Sequence, residues 1–178
     1  MINKYKNEYI KLVKDIVESE EFKKTENDTH HGSTKYGHLI RVSKCSFIMS
    51  KLFKADAQTA TVSGLLHDFF YGERTASKDN DFLVHPFTAS ENAKKYFDIT
   101  LAEQSAIETH MYHHAVMKKI IPFIDKQEAK NYNKPQSKEG WIVCISDLLV
   151  SAMEGARYEL PYLVNVYMIF IVTKYLNF

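Results

Sequence analysis

Scarcity defines much of this 178-residue chain: two cysteines, six glycines, four prolines and a single tryptophan. Two thiols, Cys45 and Cys144, lie far apart, each inside an apolar helical pattern. That suits buried free thiols better than a disulfide framework and favours a reducing compartment. Charge of one sign is missing too, because 23 Lys and Arg balance 22 Asp and Glu to a formal net charge of +1, spread from end to end. Neither a nucleic-acid-binding face nor an acidic tail is announced. The N-terminus, MINKYKNEYIKLVKD, has no continuous apolar stretch and no small-residue cleavage site, so it does not resemble a signal peptide. The most apolar run, Leu160 to Val172, is 13 residues long and contains Pro161 and Asn165. A spanning helix needs roughly 20 apolar residues, so this run reads as a packed terminal helix, part of it available as an interface. Cytoplasmic localisation without membrane attachment is the expectation, and a homo-oligomer is left open. No internal repeat and no low-complexity tract is present.

What is present is 45% hydrophobic and 25% charged residues, the composition of a globular protein long enough to bury a core without metal or disulfide staples. Apolar spacing is helical nearly throughout. Tyr5, Tyr9, Leu12 and Ile16 step by four, three and four, marking a first amphipathic helix. The polar segment Thr25 to Gly37 reads as a loop. Further helices are expected over about 38–53, 56–70, 86–97, 101–114, 138–154 and 159–176. The fold class is therefore all-α, a single-domain bundle of about seven helices over 1–178, with polar connections at 71–84 and 118–137.

Polar residues interrupt these apolar faces at particular places. His38 heads the row His38, Val42, Cys45, Met49, Leu52 and so points inward. The row Ala57, Ala60, Gly64, His67 is made of small residues and delivers His67 and Asp68 to a tightly packed spot. Asp147 belongs to the inward row Gly140, Cys144, Asp147, Ser151. His85 precedes Pro86, a residue favoured at the first helical position, and so is expected at a helix start. His110 falls on the buried side of the fifth helix, after Ala106 and Ile107. Four histidines and two aspartates thus converge on an interior. Burying them unpartnered would cost on the order of 2–7 kcal/mol for each neutral group and more for each charge. A metal centre removes that cost, since imidazole nitrogens and carboxylate oxygens then face cations.

These residues, His38 in YGHLIRVS, His67–Asp68 in GLLHDFF and Asp147 in VCISDLLVSA, carry a resemblance to the HD-domain superfamily of metal-dependent phosphohydrolases. It extends over about 30–155 and includes the local contexts H-x-x-R-V and L-L-H-D. The approach STKYGH is similar to that of small stand-alone bacterial HD proteins. The resemblance implies two divalent transition-metal ions (Fe, Mn, Ni, Co or Zn), one held by His38, His67, Asp68 and Asp147. The other would be held by His85, His110 and a shared oxygen of Asp68. Asp68 would be the bridge: neighbours on a helix point about 100° apart, so it can turn sideways from His67 and reach both ions.

Two such ions about 3.5–4 Å apart would hold a bridging hydroxide for attack on the phosphorus of a nucleotide or other small phosphoester. The phosphate-binding cation and the proton donor are sought among Arg41, Arg74, Lys78, His113 and His114, with Asp68, Arg41 and His114 as the catalytic set. Arg41 is weighed equally as an internal ion-pair partner. His30 and His31 are expected to be solvated in their loop. The lysine that the family commonly carries shortly after the His-Asp pair is replaced here by Tyr71, Gly72 and Glu73. Two alternatives from the same resemblance are a mixed-valent di-iron oxygenase and a non-catalytic nucleotide-binding sensor.

Overall fold

The computed structural model describes residues 2–30, 33–71, 81–113 and 133–155. The chain is all-α: seven α-helices lie among the described residues, with one 3₁₀ turn and one two-residue β pair. Helix α1 is Ile2–Val17, and a short α2, Glu20–Lys23, follows with Ser19 as its cap, accepting from the Phe22 amide. A 3₁₀ turn, Lys24–Asn27, leads into strands β1 (Thr29–His30) and β2 (Ser33–Thr34), which pair antiparallel. The segment read as an open loop is thus partly ordered. Thr34 accepts from the Gly37 amide at 3.1 Å and so starts α3 (Lys35–Phe53) three residues before the expected boundary. Lys54, left-handed at φ 50°, stops it.

Asp56 caps α4, Ala57–Leu66, accepting from the Thr59 amide at 2.7 Å. Helix α5 is Asp81–Tyr96, and α6 (Leu101–Glu108) begins with a reciprocal capping box between Thr100 and Glu103. Helix α7 is Lys138–Gly155. The expected helix at 159–176 lies outside the described residues. No helix among the described residues is long and apolar enough to cross a membrane.

Helix α3 packs most extensively on α4 and α7, while α6 touches α4, α5 and α7. The core joins Val13, Phe22, Leu39, Val62, Leu65, Leu66, Phe69 and Ile107 with Ala89 and Ala93. Each large side chain buried there contributes about 1.5–3 kcal/mol. The row foreseen on α3 holds through Met49 and then fails, since Leu52 is 71% exposed. Serines take the inward positions instead, Ser43, Ser46 and Ser50 all being fully buried. They make the close approach to α4 possible.

That approach depends on Gly64, where a Cβ would stand 2.6 Å from Ser46 Oγ and 3.3 Å from Ser43 Cα. Alanine would gain about 1 kcal/mol of helix propensity but force two helices apart, which typically costs about 1–3 kcal/mol. Gly64→Ala is expected to lower the melting temperature by up to roughly 8 °C, from a net cost of up to about 2 kcal/mol at about 2–4 °C per kcal/mol. Thermal denaturation followed by circular dichroism measures it, and a melting point at or above wild type would contradict the tight α3–α4 contact.

Candidate metal centre

Helix α4 ends at Leu66, so His67 and Asp68 lie just past its C-terminus rather than inside a helix running to residue 70. The reason is local. A helix leaves its last carbonyls without intrahelical partners, and His67 Nδ1 donates to one of them, Gly64 O, at 3.0 Å. The Phe69 amide folds back to Leu66 O at 3.1 Å and closes the turn. Side chains from other elements then fix the backbone beyond it. Asn92 of α5 donates to Phe69 O at 3.2 Å, and the buried Lys35 donates to Phe70 O at 2.8 Å while pairing with Asp28.

Helix α6 repeats the device. It ends at Glu108 rather than at 114, and His110 Nδ1 donates to Ile107 O at 2.7 Å from the turn that follows. His85 departs from its expected place in the other direction. Helix α5 begins at Asp81 and runs through Pro86, so His85 sits inside a helix, not at its start. Proline is tolerated in a first turn, but here it is the sixth residue and costs the helix one backbone hydrogen bond.

The structure brings six of the predicted residues together: His38, His67, Asp68, His85, His110 and Asp147 are all buried. His38 Nε2 is 3.3 Å from His67 Nε2, and Asp147 Oδ1 is 3.2 and 3.5 Å from these two nitrogens. His85 Nε2 is 3.1 Å from His110 Nε2, and Asp68 Oδ1 is 3.2 and 3.5 Å from that pair. Asp68 Oδ2 turns the other way, 4.0 Å from His67 Nε2.

Three donor groups that could each hold an ion are formed by His38, His67 and Asp68, by His67, His110 and Asp147, and by Asp68, His85 and His110. The chemistry of the donors fits a cation. His67 and His110 spend their Nδ1 protons on carbonyls, so in the neutral ring Nε2 presents a lone pair. Lone pairs and carboxylate oxygens crowded together repel unless something positive lies between them. Two ligands each about 2.1 Å from one ion stand roughly 3.0–3.4 Å apart, close to the spacings found.

Electrostatics points the same way. Burial works against charge on Asp68 and Asp147, yet the surrounding imidazoles hold both carboxyls well below the usual carboxylate range. Burial pushes His110 down to about 4, keeping it neutral, as a ligand must be. Burial also opposes charge on His38, but hydrogen bonds with Asp147 and Glu154 outweigh it and raise the ring to about 9.

Other predicted residues fall elsewhere. Arg41 pairs through Nε with Glu154 Oε1 at 2.6 Å, its side chain 44% exposed. His113 is buried, donating to His110 O at 3.2 Å beside the Cys144 thiol. Arg74, Lys78, His31 and His114 lie outside the described residues, and His30 forms part of β1. Both cysteines are free thiols, Cys144 buried and Cys45 partly so.

Sequence reading missed Glu154, whose Oε2 is 3.0 Å from His38 Nδ1. The available signal was its position seven residues, two helical turns, beyond Asp147 on the same face. Lys35 and Asn92 gave no signal, because their work is on backbone carbonyls.

Comparison with known proteins bears on fold and family. No curated protein matches the chain. Among solved structures, the HD domain of the L. monocytogenes phosphodiesterase PgpH, in complex with cyclic-di-AMP, superposes with a TM-score of 0.58. The identity is 18%, and the match covers 88% of this chain and 82% of that one. It is a likeness of fold. The family model for the HD domain matches residues 36–152, a span that begins just before His38 and closes just after Asp147. With most of its length and all six clustered residues inside that match, the chain belongs to the HD-domain family.

Proposed function

We propose that this chain is a metal-dependent phosphohydrolase acting on a nucleotide or another small phosphoester at a dinuclear site. Membership of the HD-domain family supports the reaction class. The observation that carries the dinuclear reading is the divided carboxylate of Asp68, with Oδ1 against His85 and His110 and Oδ2 toward His67. His38, His67 and Asp147 would complete the first ion's ligands, and His85 and His110 the second's. Divalent ions bound there supply a water activated near neutral pH and neutralise phosphoryl oxygens.

The chain's own contribution is preparation. Gly64 O and Ile107 O hold two imidazoles in the tautomer that aims Nε2 inward. Asp68 and Asp147 remain ionised, so their negative charge is available without a proton being removed first. Arg41, half-exposed and held by Glu154, is the proposed contact for the substrate's phosphate, where its fork of donors matches paired oxygens. His114 is the proposed proton donor to the leaving group.

The test is turnover by protein loaded in turn with Mn²⁺, Zn²⁺, Co²⁺ or Fe²⁺, offered mononucleotides, dinucleotides and cyclic dinucleotides. Cyclic dinucleotides belong in the panel because the PgpH domain binds one. Phosphate release or ring opening is expected, abolished by chelation and restored by metal. Absence of hydrolysis with every metal, or oxygen consumption by the iron-loaded protein in its place, would remove the proposal.

A further inference from the structure

His67 and His110 each find an Nδ1 acceptor in a helix's own terminal carbonyls, but His38 cannot. It is the fourth residue of a 19-residue helix, where carbonyls are taken by amides one turn on. A side chain must therefore do this work, and Glu154 does. Its Oε2 lies 3.0 Å from His38 Nδ1 and its Oε1 2.6 Å from Arg41 Nε. Two carboxylates of α7, seven residues apart, thus flank one ring, Asp147 at Nε2 and Glu154 at Nδ1. An ionised carboxylate only accepts hydrogen bonds, so Glu154 requires a proton on Nδ1, and Nε2, beside His67 and Asp147, is the nitrogen that gives up its proton to ligate.

We propose that Glu154 is a positioning residue that fixes the His38 ring for metal ligation and, through its second oxygen, the Arg41 guanidinium for the substrate's phosphate. It rests on the metal reading above. Because the His38 partner is charged rather than a neutral carbonyl, His38 becomes the more basic donor of the set. Because one carboxylate serves two groups, the two consequences separate by substitution. Glutamine keeps an oxygen for the His38 N–H but turns its amide protons toward Arg41. Methionine fills the volume and accepts from neither.

The experiment is Zn²⁺ titration of the metal-stripped full chain against a competing chelator, for wild type, Glu154→Met, Glu154→Gln and Arg41→Met. Glu154→Met is expected to weaken Zn²⁺ binding by roughly 10–100-fold, the range for removing a ligand's orienting partner. Glu154→Gln and Arg41→Met should both stay within about fivefold of wild type, below that range, and instead raise KM for the phosphoester. Equal affinity in wild type and Glu154→Met would overturn the proposal, as would equal losses in Glu154→Met and Arg41→Met, which would leave a structural ion pair. Should Glu154→Met not fold, nitrogen-15 spectra of the Zn²⁺-loaded wild type decide: a protonated Nδ1 on His38 is expected, and an unprotonated one overturns it. Wild type that takes up no metal defeats this proposal and the proposed function together. Normal metal uptake with the expected Glu154 dependence but no hydrolysis defeats the function alone.

Discussion

Asp68→Asn yields a chain that folds, holds no more than one metal ion and hydrolyses its substrate at least about a thousandfold more slowly, a loss of about 4 kcal/mol of transition-state stabilisation. The substitution keeps the volume of a fully enclosed side chain, so packing around the turn should survive. What changes is the donor set. In the native residue one oxygen faces His85 and His110 and the other faces His67. An amide has one oxygen with lone pairs and one nitrogen with protons, so it can serve one side only. Whichever side it chooses, the other imidazoles lose their shared anion, and a cation there loses charge compensation that a low-dielectric site cannot replace. Elemental analysis after dialysis and steady-state kinetics measure the two effects. Two ions per chain together with unchanged turnover would show that Asp68 does not join the two donor groups.

Much of this buried cluster was legible in sequence because it is made of residue types that a core otherwise avoids. His38, His67, Asp68, His110 and Asp147 interrupt apolar helical patterns, and each is buried in the structure. Local backbone was less legible. The helices were read as running through His67 to residue 70 and through His110 to 114, because apolar periodicity continues there; it cannot register a ring nitrogen that takes a helix's terminal carbonyl. His85 was misplaced for the opposite reason: Pro86 is a strong start signal, but helix α5 tolerates it one turn in. Leu52 followed the period of its helix and still faces solvent, while the neighbouring Lys51 and, a turn earlier, Phe47 meet α1 instead. Arg41 was the most evenly balanced residue, and the ion pair with Glu154 supplies the internal partner without removing its exposure.

Metal removal should be the largest stability effect. An ion present at 1,000 times its dissociation constant stabilises the folded chain by about 4 kcal/mol per site, provided the unfolded chain does not bind it. For a protein of this size that corresponds to roughly 8–16 °C in melting temperature per site. Chelation should therefore lower the melting point by that amount for each ion removed, and re-addition of Mn²⁺ or Zn²⁺ should restore it. The pH dependence has a definite sign. In the metal-free chain His38 carries its proton up to a pKa of about 9, held there by Asp147 and Glu154 against its burial. Ligation through Nε2 requires that proton to leave, so binding should release about one proton from His38 at pH 7.5. Apparent affinity should then rise about tenfold per pH unit through the neutral range and level off above about 9. His110, already neutral at these pH values with a pKa pushed down to about 4, should add nothing to the slope. Calorimetric titration in buffers of different ionisation enthalpy counts the protons directly. A value of zero at pH 7.5 would mean that His38 is neutral before metal arrives, and that the two carboxylates flanking it do not hold a charge there.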